Sequence, residues 1–228
     1  MGKLLILAVY ATYAAFWIRF YAHILVWRRA VRQNPQPASA GAPLGGKACA
    51  LAVRDVLFFR RLIMVNPALW VGEWVFHASF PLVLARHLRF FLNPIPPLVW
   101  YLQTPGLIAG YLLPLSLLYI LIIRLCTKHE KYASPANIFL LCLVLVISAI
   151  GLLMQAQFKP DLVDAKLFIY GIMSFAPAAV PGSVLFMIHF LLVLVLVSFL
   201  PTHIVTGPII MLEARKREQA LQLVIHEK

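Results

Sequence analysis

The sequence predicts an all-α integral membrane protein, a bundle of five transmembrane helices with its N-terminus outside and its C-terminus in the cytoplasm. Three observations predict it. Of 228 residues, 62% are hydrophobic and only 12% charged, with a mean hydropathy of +0.88, far above the roughly half-apolar make-up of a soluble domain. The apolar residues fall into five runs that each approach the ~20 residues needed to cross a bilayer. Lys and Arg gather at alternate ends of those runs. Arg28, Arg29, Arg32, Lys47, Arg54, Arg60 and Arg61 lie between the first and second, Arg124, Lys128 and Lys131 between the third and fourth, and Arg215, Lys216 and Arg217 after the fifth. The positive-inside rule puts these ends in the cytoplasm. The opposite ends carry Lys3, Arg86, Arg89, Lys159 and Lys166, a thinner set partly offset by Asp161 and Asp164.

The first run, Leu4 to Trp27, is apolar enough for a signal peptide, but Arg19 interrupts it, no A-x-A-like site follows and Arg28-Arg29 close it, so it is retained as a helix. Gln33 to Ala48, rich in Pro, Ala and Gly, has too little bulk for a core and reads as a cytoplasmic loop. Leu51 to Val65 mixes apolar positions with Arg54, Arg60 and Arg61, the pattern of an amphipathic segment in the interface, where anionic headgroups suit the arginines.

The second span runs from about Pro67, tolerated in a first helical turn, to about Leu92, and Asn93-Pro94-Ile95-Pro96-Pro97 stops it. The third covers approximately Leu107 to Leu125 with a kink at Pro114, and polar Thr127 to Ser134 leads to the fourth, approximately Pro135 to Gln155. Both read as plain lipid-facing spans. In the outer connection from Ala156 to Gly182, Leu167 to Phe175 is too short to cross the membrane but apolar enough to lie along its surface, roofing whatever is bound beneath. The fifth span extends from about Ser183 to Leu212, broken by Pro201 and Pro208, and the charged tail Glu213 to Lys228 is cytoplasmic. Residues 1–228 form one membrane domain without an inverted repeat.

The formal charge of +12 does not mark a nucleic-acid binder, because the basic residues cluster at the ends of apolar runs instead of forming an aromatic-interleaved polar surface. Chemistry concentrates elsewhere. His77 and His87 lie on the second span, His189 and His203 on the fifth. Ionisable groups at membrane depth cost ~2.5 kcal/mol or more when charged, so each wants a partner, and neutral imidazole bound to iron satisfies that want. The first pair is ten residues apart and the second fourteen, rises of about 15 and about 21 Å, so each pair places one histidine in each leaflet. At ~100° per residue each pair also keeps to one side of its helix.

Antiparallel packing sets His77 opposite His203 near the cytoplasm, as ligands of an inner haem iron, and His87 opposite His189 near the exterior, as ligands of an outer one. Two haem b groups are the cofactors this arrangement suits. Structural histidines bonded to carbonyls are the alternative. Zinc is less suited, since a zinc site gathers its ligands within a few ångströms. His23 has no matching partner, and His129 and His226 lie in charged aqueous segments. Cys49, Cys126 and Cys142 form no C-x-x-C-H attachment motif, so any haem is held non-covalently.

The motif Trp74-Val75-Phe76-His77 continuing to Arg86-His87, with His189 and His203, the five spans and the outside N-terminus, resembles the cytochrome b (gamma) subunit of respiratory nitrate reductase and related subunits of sulfite-reduction-linked and heterodisulfide-reductase-like membrane complexes. The similarity runs over nearly the whole chain. The fourteen-residue spacing on the fifth span is shorter than in the nitrate reductase chain and tilts the resemblance toward the sulfur-linked relatives. It implies a subunit of a prokaryotic inner-membrane complex that carries electrons between the quinone pool and a cytoplasmic iron–sulfur or heterodisulfide-reductase-like subunit, with quinol docking near the outer haem.

Arg86 and Arg89 flank His87, where a guanidinium suits haem propionates or a quinone oxygen; snorkelling to the interface is the alternative, and the better one for Arg89. Glu73, one turn before His77, is placed to orient that ligand or to pair with Arg61 or Arg19. Trp70, Trp74, Trp100 and Tyr101 read as interfacial belt residues. The main rival function is a haem-free membrane anchor or assembly subunit of a peripheral enzyme. A small transporter would show interrupted helices in matching halves, which this sequence lacks.

Overall fold

The computed structural model describes residues 2–33, 46–127, 135–176, 178–201 and Glu218. Among them every regular element is helical, and five helices are long and apolar enough to span a bilayer. The helices are α1 (Gly2–Gln33), α2 (Gly46–Phe58), α3 (Arg60–Val65), α4 (Pro67–His87, prolonged by a 3₁₀ turn at Leu88–Phe90), α5 (Pro97–Tyr101), α6 (Gln103–Cys126), α7 (Pro135–Ala156), α8 (Leu162–Met173) and α9 (Val184–Pro201). The spans are α1, α4, α6, α7 and α9. The loop 34–45, the connection 128–134 and the stretches 202–217 and 219–228, which hold His129, His203, Pro208 and His226, lie outside the described residues.

The chain divides into two compact units, one of Met1–Ala11 with Asn66–Leu196 and one of Thr12–Val65 with Val197–Lys228. In the first unit α4 begins as its sequence requires. Asn66 caps it, the side chain accepting from the Leu69 N–H at 3.0 Å, and Pro67 occupies the first turn, where no N–H is needed. Helix α6 then packs against both α4 and α7. Its buried residues Gly106, Ala109, Leu113, Ser116, Leu117 and Ile120 form a stripe at helical spacing, and Leu141, Val144, Ile147 and Ser148 are buried on α7.

The third and fourth spans are therefore not plain lipid-facing helices; they are the most enclosed of the five. Lipid tails are as apolar as leucine, so hydropathy cannot tell a helix that faces lipid from one that faces protein. Small residues decide it by letting backbones approach. A Cβ at Gly72 of α4 would stand 2.7 Å from Ile120 Cγ1 and 2.8 Å from Tyr119 Cδ1 of α6.

The apolar stretch after α7 turns one face outward, with Leu167, Tyr170 and Met173 exposed, and buries the other. It folds as α8, and Phe168, 0% exposed, joins Leu5, Ala165, Ile172 and Phe186 in a buried cluster flanked by Phe90, Met154 and Phe190. Residues from the ends of α1, α4, α7 and α9 thus cover one face of α8. Asp161 starts the helix by accepting from the Val163 and Asp164 N–H groups at 2.8 and 3.2 Å.

In the second unit the expected single amphipathic segment is two helices, α2 and α3, broken at Phe59, whose φ of 46° no helix accommodates. Arg61 there pairs with Glu218 at 2.6 Å and Asp55 at 3.8 Å, and Arg19 donates to the Ser198 carbonyl at 2.9 Å.

Replacing Gly72 with Val will force α4 and α6 apart and cost about 1–3 kcal/mol, read as a lowered Tm in detergent. Gly110→Ala, whose Cβ would meet nothing within 4 Å, will leave the Tm unchanged.

Candidate functional site

Three of the four expected ligands, His77, His87 and His189, lie in the first unit, and His203 lies outside the described residues. Near the end of α4, His87 Nδ1 is 2.7 Å from the Val83 carbonyl oxygen, one turn back along the same helix. A carbonyl can only accept, so Nδ1 carries the proton and donates, and Nε2 becomes the nitrogen with a lone pair. His77 repeats the arrangement with the Glu73 carbonyl, also at 2.7 Å. Both rings are thereby set in the tautomer a metal ligand needs.

His189 enters from α9 and packs on α7 at Gly151, where a Cβ would stand 3.4 Å from its Cε1 and 3.9 Å from its Nδ1. That nitrogen is buried without a hydrogen-bond partner, and the Ile147 carbonyl is within electrostatic reach but outside bonding geometry. Leaving a ring nitrogen buried and unbonded costs about 1–3 kcal/mol, which calls for a partner. His87 lies close enough to His189 to interact with it electrostatically.

His87, with Nδ1 committed to a backbone carbonyl and Nε2 left as the lone-pair nitrogen, and His189 within electrostatic reach of it would suit an iron held by two imidazoles. Among the described residues no three His, Cys, Asp or Glu side chains converge, which zinc would require.

The arginines beside His87 turn inward. Arg86 Nη2 donates to Gln155 Oε1 on α7 at 2.9 Å, and Arg89 Nη1 to Gln103 Oε1 on α6 at 3.3 Å, with the Arg89 guanidinium 4.8 Å from the centre of the Phe90 ring. Arg89 thus has a polar partner at the start of α6. Glu73 is paired on the neighbouring span. Its Oε1 accepts from Arg124 Nη2 of α6 at 2.7 Å while Oε2 stands 3.7 Å from His77 Nδ1. Sequence reasoning passed over Gln103, Gln155, Arg124 and Gly151. The two glutamines and Arg124 were visible as polar residues at the ends of apolar runs, but their partners lie 14 to 69 residues away.

No family model matches the chain, and no solved structure does. Two characterised relatives do, both named Hdr-like menaquinol oxidoreductase cytochrome b-like subunit. The one from Archaeoglobus profundus is 31% identical over 149 residues, covering 58% of this chain and 44% of the relative. The one from Archaeoglobus fulgidus is 30% identical over 149 residues, covering 58% and 45%. The chain spans about half the length of these curated relatives.

Because the Glu73 and Arg124 side chains are only 14% and 22% exposed, Arg124→Leu will strand a carboxylate and cost about 1–3 kcal/mol. Arg61→Leu, at an ion pair whose side chains are 44% and 47% exposed, will cost less than about 1 kcal/mol. Thermal unfolding of the two variants in detergent compares them.

Proposed function

We propose that this chain is a dihaem b-type cytochrome subunit of a respiratory oxidoreductase in a prokaryotic inner membrane, exchanging electrons between the quinone pool and a cytoplasmic iron–sulfur or heterodisulfide-reductase-like subunit. The observation that carries the reading is the pairing of His87 and His189 from two spans, with Nε2 of His87 left as the lone-pair nitrogen. The printed names of the two relatives support a quinol-linked membrane cytochrome of the heterodisulfide-reductase-like type over a nitrate reductase type.

In this reading His87 and His189 hold the outer haem iron, and His77 and His203 the inner one. When bound, the two haems supply one-electron relay chemistry across the bilayer. Everything else falls to the chain's own groups. The Val83 and Glu73 carbonyls hold the rings of His87 and His77 in the ligating tautomer. Glu73, pinned by Arg124, keeps the His77 ring from rotating. Helix α8 closes the His87 end of the first unit with apolar side chains, limiting water there. Arg86 contributes to cofactor binding at that end.

Quinol docks at the His87 end and its protons leave to the exterior, while the basic cytoplasmic loops receive the electron-accepting subunit. Each elementary charge moved against 100 mV costs about 2.3 kcal/mol, so separation of this kind stores energy. A haem-free anchor is the second reading, favoured by the fact that a bond from Nδ1 to a carbonyl also satisfies a purely structural histidine. A preparation without Soret and b-type alpha bands, with detergent loss controlled, selects the anchor.

His87→Ala and His189→Ala will each remove the same one of two haems from the dithionite-reduced spectrum, His77→Ala will remove the other, and His129→Ala will leave both. Equal haem content in all four variants would overturn the assignment.

A further inference from the structure

We propose that Arg86 and Arg89, each held by a glutamine from a neighbouring span, form a carboxylate-binding fork for the propionates of the haem at His87 and His189, and that their positive charge raises its reduction potential. This rests on the haem reading above. The geometry begins at Gly106 of α6, where a Cβ would stand 2.7 Å from Arg86 Cβ and 3.3 Å from its Cδ. With no side chain there, the arginine lies across α6 and reaches Gln155 on α7 at 2.9 Å.

Gln155 is four residues beyond Gly151, on the same face of α7 and about 6 Å further along its axis. Gly151 is where the His189 ring packs. The Arg86 guanidinium is therefore held about one helical turn along α7 from the α9 imidazole, within the set of residues that would hold a haem there. Arg89 interacts electrostatically with Arg86, and both with His87. The cluster thus forms around one ligand position.

Its charge is unbalanced. Glutamine oxygens accept hydrogen bonds without neutralising, and the Nε of both arginines is buried and unbonded. The ion pairs found among the described residues join Arg61 to Asp55 and Glu218, and Glu73 to Arg124 and His77, none of them with these two arginines. Two neighbouring cations in a low-dielectric span are costly without a counter-anion, and a guanidinium takes a carboxylate through two parallel N–H donors. Adding an electron to a centre beside fixed positive charge is favoured, so its potential rises.

A phospholipid phosphate is the other source of an oxyanion. The test is a redox titration of the purified, haem-loaded protein followed at the alpha band, with native mass spectrometry for bound lipid. Arg86→Gln and Arg89→Gln should keep both haems and move only the wave that His87→Ala abolishes, to lower potential. Arg86→Lys, which keeps the charge and loses the fork, should restore most of that shift, and Arg61→Gln should move neither wave. Unmoved waves in Arg86→Gln and Arg89→Gln would overturn the proposal, as would loss of a bound phospholipid with the potentials intact. Should Arg86→Gln lose haem, Arg89→Gln and Arg86→Lys decide: retained haem with an unmoved wave in Arg89→Gln overturns it. An unchanged spectrum in His87→Ala would instead sink the haem reading itself.

Discussion

The close approach of α4, α6 and α7 is the constraint on which the rest of the first unit depends. Inside a bilayer no hydrophobic force draws helices together, so association rests on contact between backbones, and contact needs small residues at the crossings. Gly72 seats α4 on α6 with no room for a methyl group, and Gly106 does the same beneath Arg86. Gly151 opens the face of α7 on which the His189 ring lies. The residues that seat these spans against one another also position the imidazoles and guanidiniums.

Charge within the spans is sparse and placed in pairs. At one end Glu73 and Arg124 neutralise each other across α4 and α6, beside His77. At the other, Arg86 and Arg89 have glutamines as partners and, among the described residues, no ion pair with a carboxylate. The two ends of the same helix therefore present unlike electrostatic surroundings to their histidines, one balanced and one positive. A pair of redox centres in such surroundings would differ in potential without differing in ligands.

The helix itself solves a local problem for each histidine of α4. An imidazole that ligates through one nitrogen has the other to satisfy, and the carbonyl one turn back, 2.7 Å away, accepts the Nδ1–H hydrogen bond at both positions. His189 has no such bond, and its Nδ1 is left without one against α7. Under the proposed function the two α4 ligands are oriented before iron arrives, and His189 gains the most from binding it.

Much of this was written in the residues alone. Five apolar runs required membrane helices because a backbone in hydrocarbon must satisfy its own hydrogen bonds, Pro67 marked where α4 starts, and the pairs His77/His87 and His189/His203 stood out as ionisable groups where hydrocarbon penalises them. What tertiary structure alone decided is which neighbour each group meets: that α6 and α7 face protein, that Glu73 meets Arg124, that Arg86 crosses Gly106 to reach Gln155, and that Phe168 is the α8 residue buried among its neighbours. Hydropathy and periodicity describe a helix against a uniform solvent. Choosing between lipid and another helix depends on how closely two particular surfaces fit, and that fit exists only once both are in place.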